Sequence, residues 1–93
     1  MVILRIEHAA ASFDDWKRAF DSDPLGRAAS GVRRHRVARA ADQPNFVTID
    51  LEFESHAEAE TMLGRLREMW QRVTVVTDPR ARIFTLVEAR DSA

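Results

Sequence analysis

Hydrophobic and polar positions switch between two periods along this chain, and each switch marks a change of element. Val2, Leu4, Ile6 and His8 alternate with Ile3, Arg5 and Glu7, the period-two signature of a strand. After Ala9–Ala11 the spacing lengthens. Phe13, Trp16, Ala19 and Phe20 recur as on one face of a helix. Ser12 is placed to cap that helix, with Asp15 completing a capping-box-like signal, and Asp23-Pro24-Leu25-Gly26 ends it. Gly31 opens a second strand, roughly Val32–Arg39. Asp42-Gln43-Pro44-Asn45 has the composition of a turn, and Phe46–Phe53 alternates cleanly, so the two strands form a hairpin. Ser55 and Glu58 make a capping box for a second helix. Its apolar stripe is Ala59, Met62, Leu63, Leu66, Trp70 and Val73. Val73–Thr77 reads either as a helix end or as a short extra strand, Asp78-Pro79 as a break, and Ala81–Glu88 as the last strand before a polar tail over Ala89–Ala93.

The order is β-α-β-β-α-β, the ferredoxin-like pattern of the α+β class. Right-handed crossovers put the first and third strands at the centre of an antiparallel sheet, with both helices on one face. The second strand becomes an edge. Its Arg33, Arg34, Arg36 and Arg39 suit an edge, where charge deters uncontrolled pairing.

Composition then narrows the class. The chain has 93 residues, 45% hydrophobic and 31% charged, which specifies one globular domain over 1–93 and no disordered region. Fourteen Lys+Arg against fifteen Asp+Glu leave a net charge of −1, without the basic excess of a nucleic-acid binder. With no Cys there is no disulfide framework, thiolate metal site or cysteine nucleophile. No apolar run approaches the roughly 20 residues of a membrane span. Arg5 and Glu7 interrupt the start too early for a signal peptide, so a cytoplasmic location is expected. A chain this short buries only about 60–65% of its unfolded surface, and oligomerisation is a natural way to add core.

The second face of the sheet points the same way. It carries Ile3, Arg5 and Glu7, then Phe46, Thr48, Asp50 and Glu52, and, if Ile83 faces the helices, Phe84, Leu86 and Glu88. Phe46, Phe84 and Leu86 make an unusual patch to leave in water. Arg5 can pair with Asp50 or Glu52 across neighbouring strands. Such a half-polar, half-aromatic face suits a homodimer in which two sheets pack together.

Several stretches carry a resemblance. They are Glu7-His8, Phe13-Asp14-Asp15-Trp16-Lys17-Arg18-Ala19-Phe20-Asp21, Gly31-Val32-Arg33-Arg34-His35-Arg36-Val37, Pro44-Asn45-Phe46-Val47 and Leu51-Glu52-Phe53. Together they resemble small bacterial dimeric α/β-barrel proteins near the antibiotic-biosynthesis-monooxygenase-like group, many without an assigned activity. The resemblance implies a homodimer whose sheets form a shared barrel, with a ligand pocket in each subunit between helices and sheet. Cofactor-free oxygenases of that group act on aromatic polyketides. A haem-degrading branch uses an Asn, a Trp and a His. Trp70 is similar in placement to that Trp, but no His follows His56 and Asn45 is the only Asn, so the haem-binding His has no counterpart. No cofactor is expected.

Each candidate site residue has a functional and a plain reading. His8 ends the first strand at the rim of the space between sheet and helices. It suits a general base or ligand anchor, or else a hydrogen-bonded strand-end histidine. Trp16, Phe20 and Trp70 face inward, either as walls of an aromatic pocket or as simple core. Arg33 and His35 share the side of Val37 and are the members of the basic run placed to reach an anionic ligand; the plain reading is edge solubility and ion pairing. Asp50 and Glu52 lie opposite basic residues and read as an ion network. No His spacing matches a metal signature, so no metal is expected. An RNA-binding module needs stacking aromatics where this third strand offers Thr48, Asp50 and Glu52, and is rejected. The functional expectation is a homodimer binding a small aromatic or apolar molecule. The alternatives are a cofactor-independent monooxygenase-like enzyme and a pocketless interaction homodimer.

Overall fold

Alternation and capping place six elements in the computed structural model, which describes residues 1–92. They are β1 (Val2–Ala9), α1 (Phe13–Asp21), β2 (Arg34–Arg39), β3 (Phe46–Phe53), α2 (His56–Trp70) and β4 (Thr77–Thr85). The sheet order is β2-β3-β1-β4 and every pairing is antiparallel. β1 and β3, the strands with the cleanest apolar rows, are therefore central. Their inward residues meet in register, Leu4 beside Leu51 and Ile6 beside Ile49, and Leu4 also faces Ile83 of β4. Val2, Leu4, Ile6, Val47, Ile49, Leu51 and Phe53 are buried, and Trp16 of α1 with Ala59, Met62 and Leu63 of α2 closes the core over them. This is the ferredoxin-like arrangement.

Both helices start where their hydroxyl caps stand. Ser12 Oγ accepts from the Asp15 backbone N–H at 3.3 Å. At α2, Ser55 Oγ accepts from the Glu58 N–H at 3.2 Å while the Glu58 carboxylate accepts from the Ser55 N–H at 3.3 Å, a reciprocal box. Asn45, in the turn before β3, adds a tertiary cap. Its Oδ1 accepts from the Phe13 N–H at 3.0 Å and its carbonyl from the Ala10 N–H at 2.8 Å. The hairpin turn is thereby tied to the β1–α1 junction.

Several boundaries differ from the sequence expectation: β1 runs on through Ala9, expected to open the connection, and α2 ends at Trp70, short of Val73. β2 begins at Arg34, because Gly31 (φ 98°) and Val32 still belong to a turn in which the Val32 N–H reaches back to the Arg27 carbonyl at 3.0 Å. Residues 71–76 are irregular, neither helix nor strand, and Thr77 already belongs to β4. Asp78-Pro79, expected to break the chain, instead lies inside that strand. Glu7 pairs with Arg80 and Ala9 with Thr77, so Asp78 and Pro79 together oppose His8 in a β-bulge, with Asp78 at φ 51°. An edge strand tolerates a proline because its outer N–H groups need no partner. At its far end β4 stops at Thr85 rather than Glu88. The last pair of the β1–β4 ladder is Val2 with Thr85, and the Leu86 N–H bonds the Met1 carbonyl at 3.0 Å. Val87 is correspondingly 94% exposed. Among the described residues no helix is long and apolar enough to cross a membrane.

Candidate functional site

His8 is the one buried polar side chain among the core residues, 2% exposed. It belongs to the inward row of β1, at the point where the bulge in β4 interrupts regular pairing. Its Nδ1 lies 3.0 Å from the Ala9 carbonyl oxygen. A carbonyl only accepts, so Nδ1 carries the proton and Nε2 carries the lone pair. Nε2 has no hydrogen-bond partner among the described residues. Yet no fully buried side-chain nitrogen or oxygen there is left unpartnered, so Nε2 opens onto free space. Burial pushes the His8 pKa below the ordinary histidine value; the bond to the Ala9 carbonyl opposes this with the smaller effect.

His8 lines a cavity of about 270 Å³ between the inner sheet face, α1, the 22–33 loop, the C-terminal half of α2 and residues 73–76. Its walls are almost wholly apolar: Trp16 and Phe20 on one side, Met62 and Trp70 on the other, Ile6 and Ile49 as floor. Aromatic rings run outward from the buried end. The His8 and Trp16 centroids lie 5.2 Å apart, close to edge-on, and Trp16 lies 5.2 Å from Phe20. The loop contributes two charges, Asp23 and Arg27, which neutralise each other at 3.4 Å. The Arg27 guanidinium stacks 3.9 Å over Phe20 and donates to its carbonyl. From α2, Arg65 donates to the Leu25 carbonyl at 3.2 Å and to Ser30 Oγ at 2.8 Å, pinning the loop to the helix.

The cavity wall includes His8, Trp16, Phe20 and Trp70. His8 is enclosed rather than placed at the rim. His35 stands on the helix side of β2, where its ring meets the far side of Phe20 at 5.5 Å, but it does not reach the wall. Arg33 is also off the wall and pairs with Glu54 at 2.6 Å near the surface. Asp50 and Glu52 point to the opposite sheet face. Arg5 binds Asp50 through two bonds of 2.8 and 3.0 Å, and Arg34 approaches Glu52 at 3.6 Å. Sequence reasoning did not find Leu25, Arg27 or Val76, which line the site from irregular segments without periodicity. Only the helix-breaking Asp23-Pro24-Leu25-Gly26 signalled that a loop crosses there. Among the described residues no group of three His, Asp or Glu side chains comes within reach of one metal ion.

No family model and no curated protein sequence matches the chain. Solved structures do. A variant of SnoaB, a cofactor-independent oxygenase from Streptomyces nogalater, superimposes with a TM-score of 0.74 at 17% identity, covering 95% of this chain and 94% of that one. A protein from Deinococcus radiodurans, provisionally assigned as an antibiotic biosynthesis monooxygenase, gives 0.67 at 18% identity over 100% and 99% of the two chains. A dimeric ferredoxin-like protein from an uncultured marine organism gives 0.66 at 12% identity over 96% and 97%. The chain has their fold. At these identities the likeness is one of architecture, and its structural neighbours are the monooxygenase-like and dimeric ferredoxin-like proteins that the sequence resembles.

Proposed function

We propose that this protein is a homodimer that binds a small aromatic or apolar molecule in the cavity between its helices and its sheet. The observation that carries the reading is the cavity itself: aromatic and aliphatic walls converging on a single buried imidazole. Apolar walls with few polar groups are the usual chemistry of a small-molecule site. The outer sheet face supports self-association. Phe84 is 38% exposed there beside Ile3, and the Arg5 guanidinium covers its ring at 5.1 Å. One solved neighbour is described as a dimer of this fold. A second copy would cover the apolar part of this face and exchange partners with its charged rows.

A second reading, cofactor-independent oxygenation of the bound molecule, is favoured by the free Nε2 of His8, which is placed to take a proton from a ligand. The neighbouring oxygenase works without a cofactor. A homodimer without a ligand is disfavoured by the open cavity. Native mass spectrometry of freshly purified protein tests the proposal. The expected species is twice the 10.6 kDa chain mass with a retained small molecule, or an empty dimer whose melting temperature rises with aromatic ligands. A monomer at micromolar concentration overturns the dimer; no adduct and no melting shift overturn the ligand site.

A further inference from the structure

We infer that His8 Nε2 is the inward-facing acceptor of the cavity and makes it select a neutral ligand that presents one O–H or N–H donor, over a ligand of the same shape without a donor or with a negative charge. The inference rests on the cavity being a ligand site and specifies what that site reads.

Polar groups on the wall are few: the indole N–H groups of Trp16 and Trp70 only donate, and of the side chains there that can accept, Ser22 is exposed, Asp23 is half-buried and His8 alone is buried. Ser22 Oγ donates to the Ala19 carbonyl at 2.6 Å. Asp23 Oδ1 accepts from the Arg27 backbone N–H at 2.9 Å and sits 3.4 Å from the Arg27 guanidinium, which also donates to the Phe20 carbonyl at 2.9 Å. His8 Nδ1 is held by the Ala9 carbonyl. That bond sets the tautomer, so Nε2 offers a lone pair to the cavity and no proton. The Trp16 ring packs close to edge-on against this imidazole, with 5.2 Å between centroids. The bulge of Asp78 and Pro79 sits opposite this residue alone, the placement in which bulges re-aim a side chain.

The ligand class follows from hydrogen-bond accounting. A ligand hydroxyl buried among Trp16, Phe20, Met62 and Trp70 needs an acceptor, and Nε2 supplies it. An ether in the same place leaves Nε2 dry and unpaired, which is the costly case. A carboxylate sets negative charge against that lone pair in an apolar wall. The cavity's one cation, Arg27, already has Asp23 as its counter-ion. The charged groups facing the His8 end across the cavity are therefore Asp23 and Arg27 from the loop. The neighbouring side chains of α1, α2 and β3 on the wall are uncharged.

Isothermal titration with 2-naphthol, 2-methoxynaphthalene, naphthalene and 2-naphthoate tests the inference at about pH 7.5, above the ordinary histidine range. The expected order puts 2-naphthol about tenfold tighter than the ether and the hydrocarbon, the scale of one buried hydrogen bond, with 2-naphthoate weakest. In His8→Phe the naphthol advantage falls away while naphthalene still binds. If that variant does not fold, nitrogen NMR of the native protein decides instead: the His8 Nε2 resonance shifts with 2-naphthol and stays in place with the ether. Equal affinity for naphthol and ether, an advantage that persists in His8→Phe, or tightest binding of 2-naphthoate overturns the inference and leaves the cavity a ligand site. Failure of all four probes to bind overturns the ligand site and the inference together.

Discussion

Replacing Trp16 by alanine is the sharpest probe of the structure, because this one ring is shared by the core and the cavity. Trp16 is 5% exposed and touches three other rings: His8 at 5.2 Å, Phe20 at 5.2 Å and Phe13 at 5.9 Å. Truncating a buried aromatic to alanine costs about 3–5 kcal/mol, the lost transfer energy plus the cavity left behind. The low end applies here. The site already opens onto about 270 Å³ of free space, so the hole merges with an existing cavity rather than forming a sealed void. We expect about 3 kcal/mol, out of roughly 5–14 kcal/mol for a domain of this size. Trp16→Phe keeps one ring against His8 and Phe20 and costs about half as much. Urea unfolding followed by far-ultraviolet circular dichroism, at one fixed protein concentration, measures both, since linked association makes apparent stability concentration-dependent. A loss below about 1 kcal/mol for Trp16→Ala refutes the reasoning, because a surface-like response is incompatible with a ring packed on three sides.

His8 predicts a specific pH dependence. Burial lowers its folded-state pKa below the ordinary value of 6.5, so as the pH falls the unfolded chain takes up this proton first. The contribution of neutral His8 is complete above the unfolded value and is lost as the pH drops from there through the folded one. His8→Phe flattens that part of the stability profile, and identical acid limbs for the two proteins in urea titrations count against it. Two glycines predict opposite signs. Gly64 lies exposed within α2, and a methyl added there meets nothing within 4 Å, so Gly64→Ala raises stability by about 0.5–1 kcal/mol. Gly31 holds φ 98° with the Glu58 carboxylate where a Cβ would stand, so Gly31→Ala lowers it by about 1–2 kcal/mol, and thermal melts in the reverse order refute both assignments.

Period and capping carried most of the architecture. β3 has the bounds that its alternation predicts, and Ser12 and Ser55 cap the helices they precede. Both outcomes rest on interactions within a few residues, and local interactions are what a sequence pattern encodes. β4 departs from its expected bounds for the opposite reason. Asp78-Pro79 has the local chemistry of a break, yet pairing with β1 carries the strand through it as a bulge, and at the far end the ladder closes on the pair Val2 and Thr85. A partner strand remote in sequence sets both limits.

The site divides along the same line. Alternation places His8 on the inner sheet face, and helical spacing turns Trp16 and Phe20 toward it, so these contacts follow from local geometry once two layers stack. Whether the space between them is filled was beyond any periodicity. The 22–33 loop and residues 73–76 hold the walls apart instead of collapsing onto them, and Arg65 from α2 fixes that loop through the Leu25 carbonyl and Ser30 Oγ. His35 and Arg33 show the same limit. Strand parity gives His35 the correct side, but Phe20 stands between it and the cavity, and Glu54 draws Arg33 outward. The elements, their order and their inward residues were legible in the chain alone, because each depends on neighbours a few positions away. The enclosure of His8 with one nitrogen free was not, because the bulge, the Trp16 ring and the cavity beside it come from separate parts of the chain and meet only in the folded molecule.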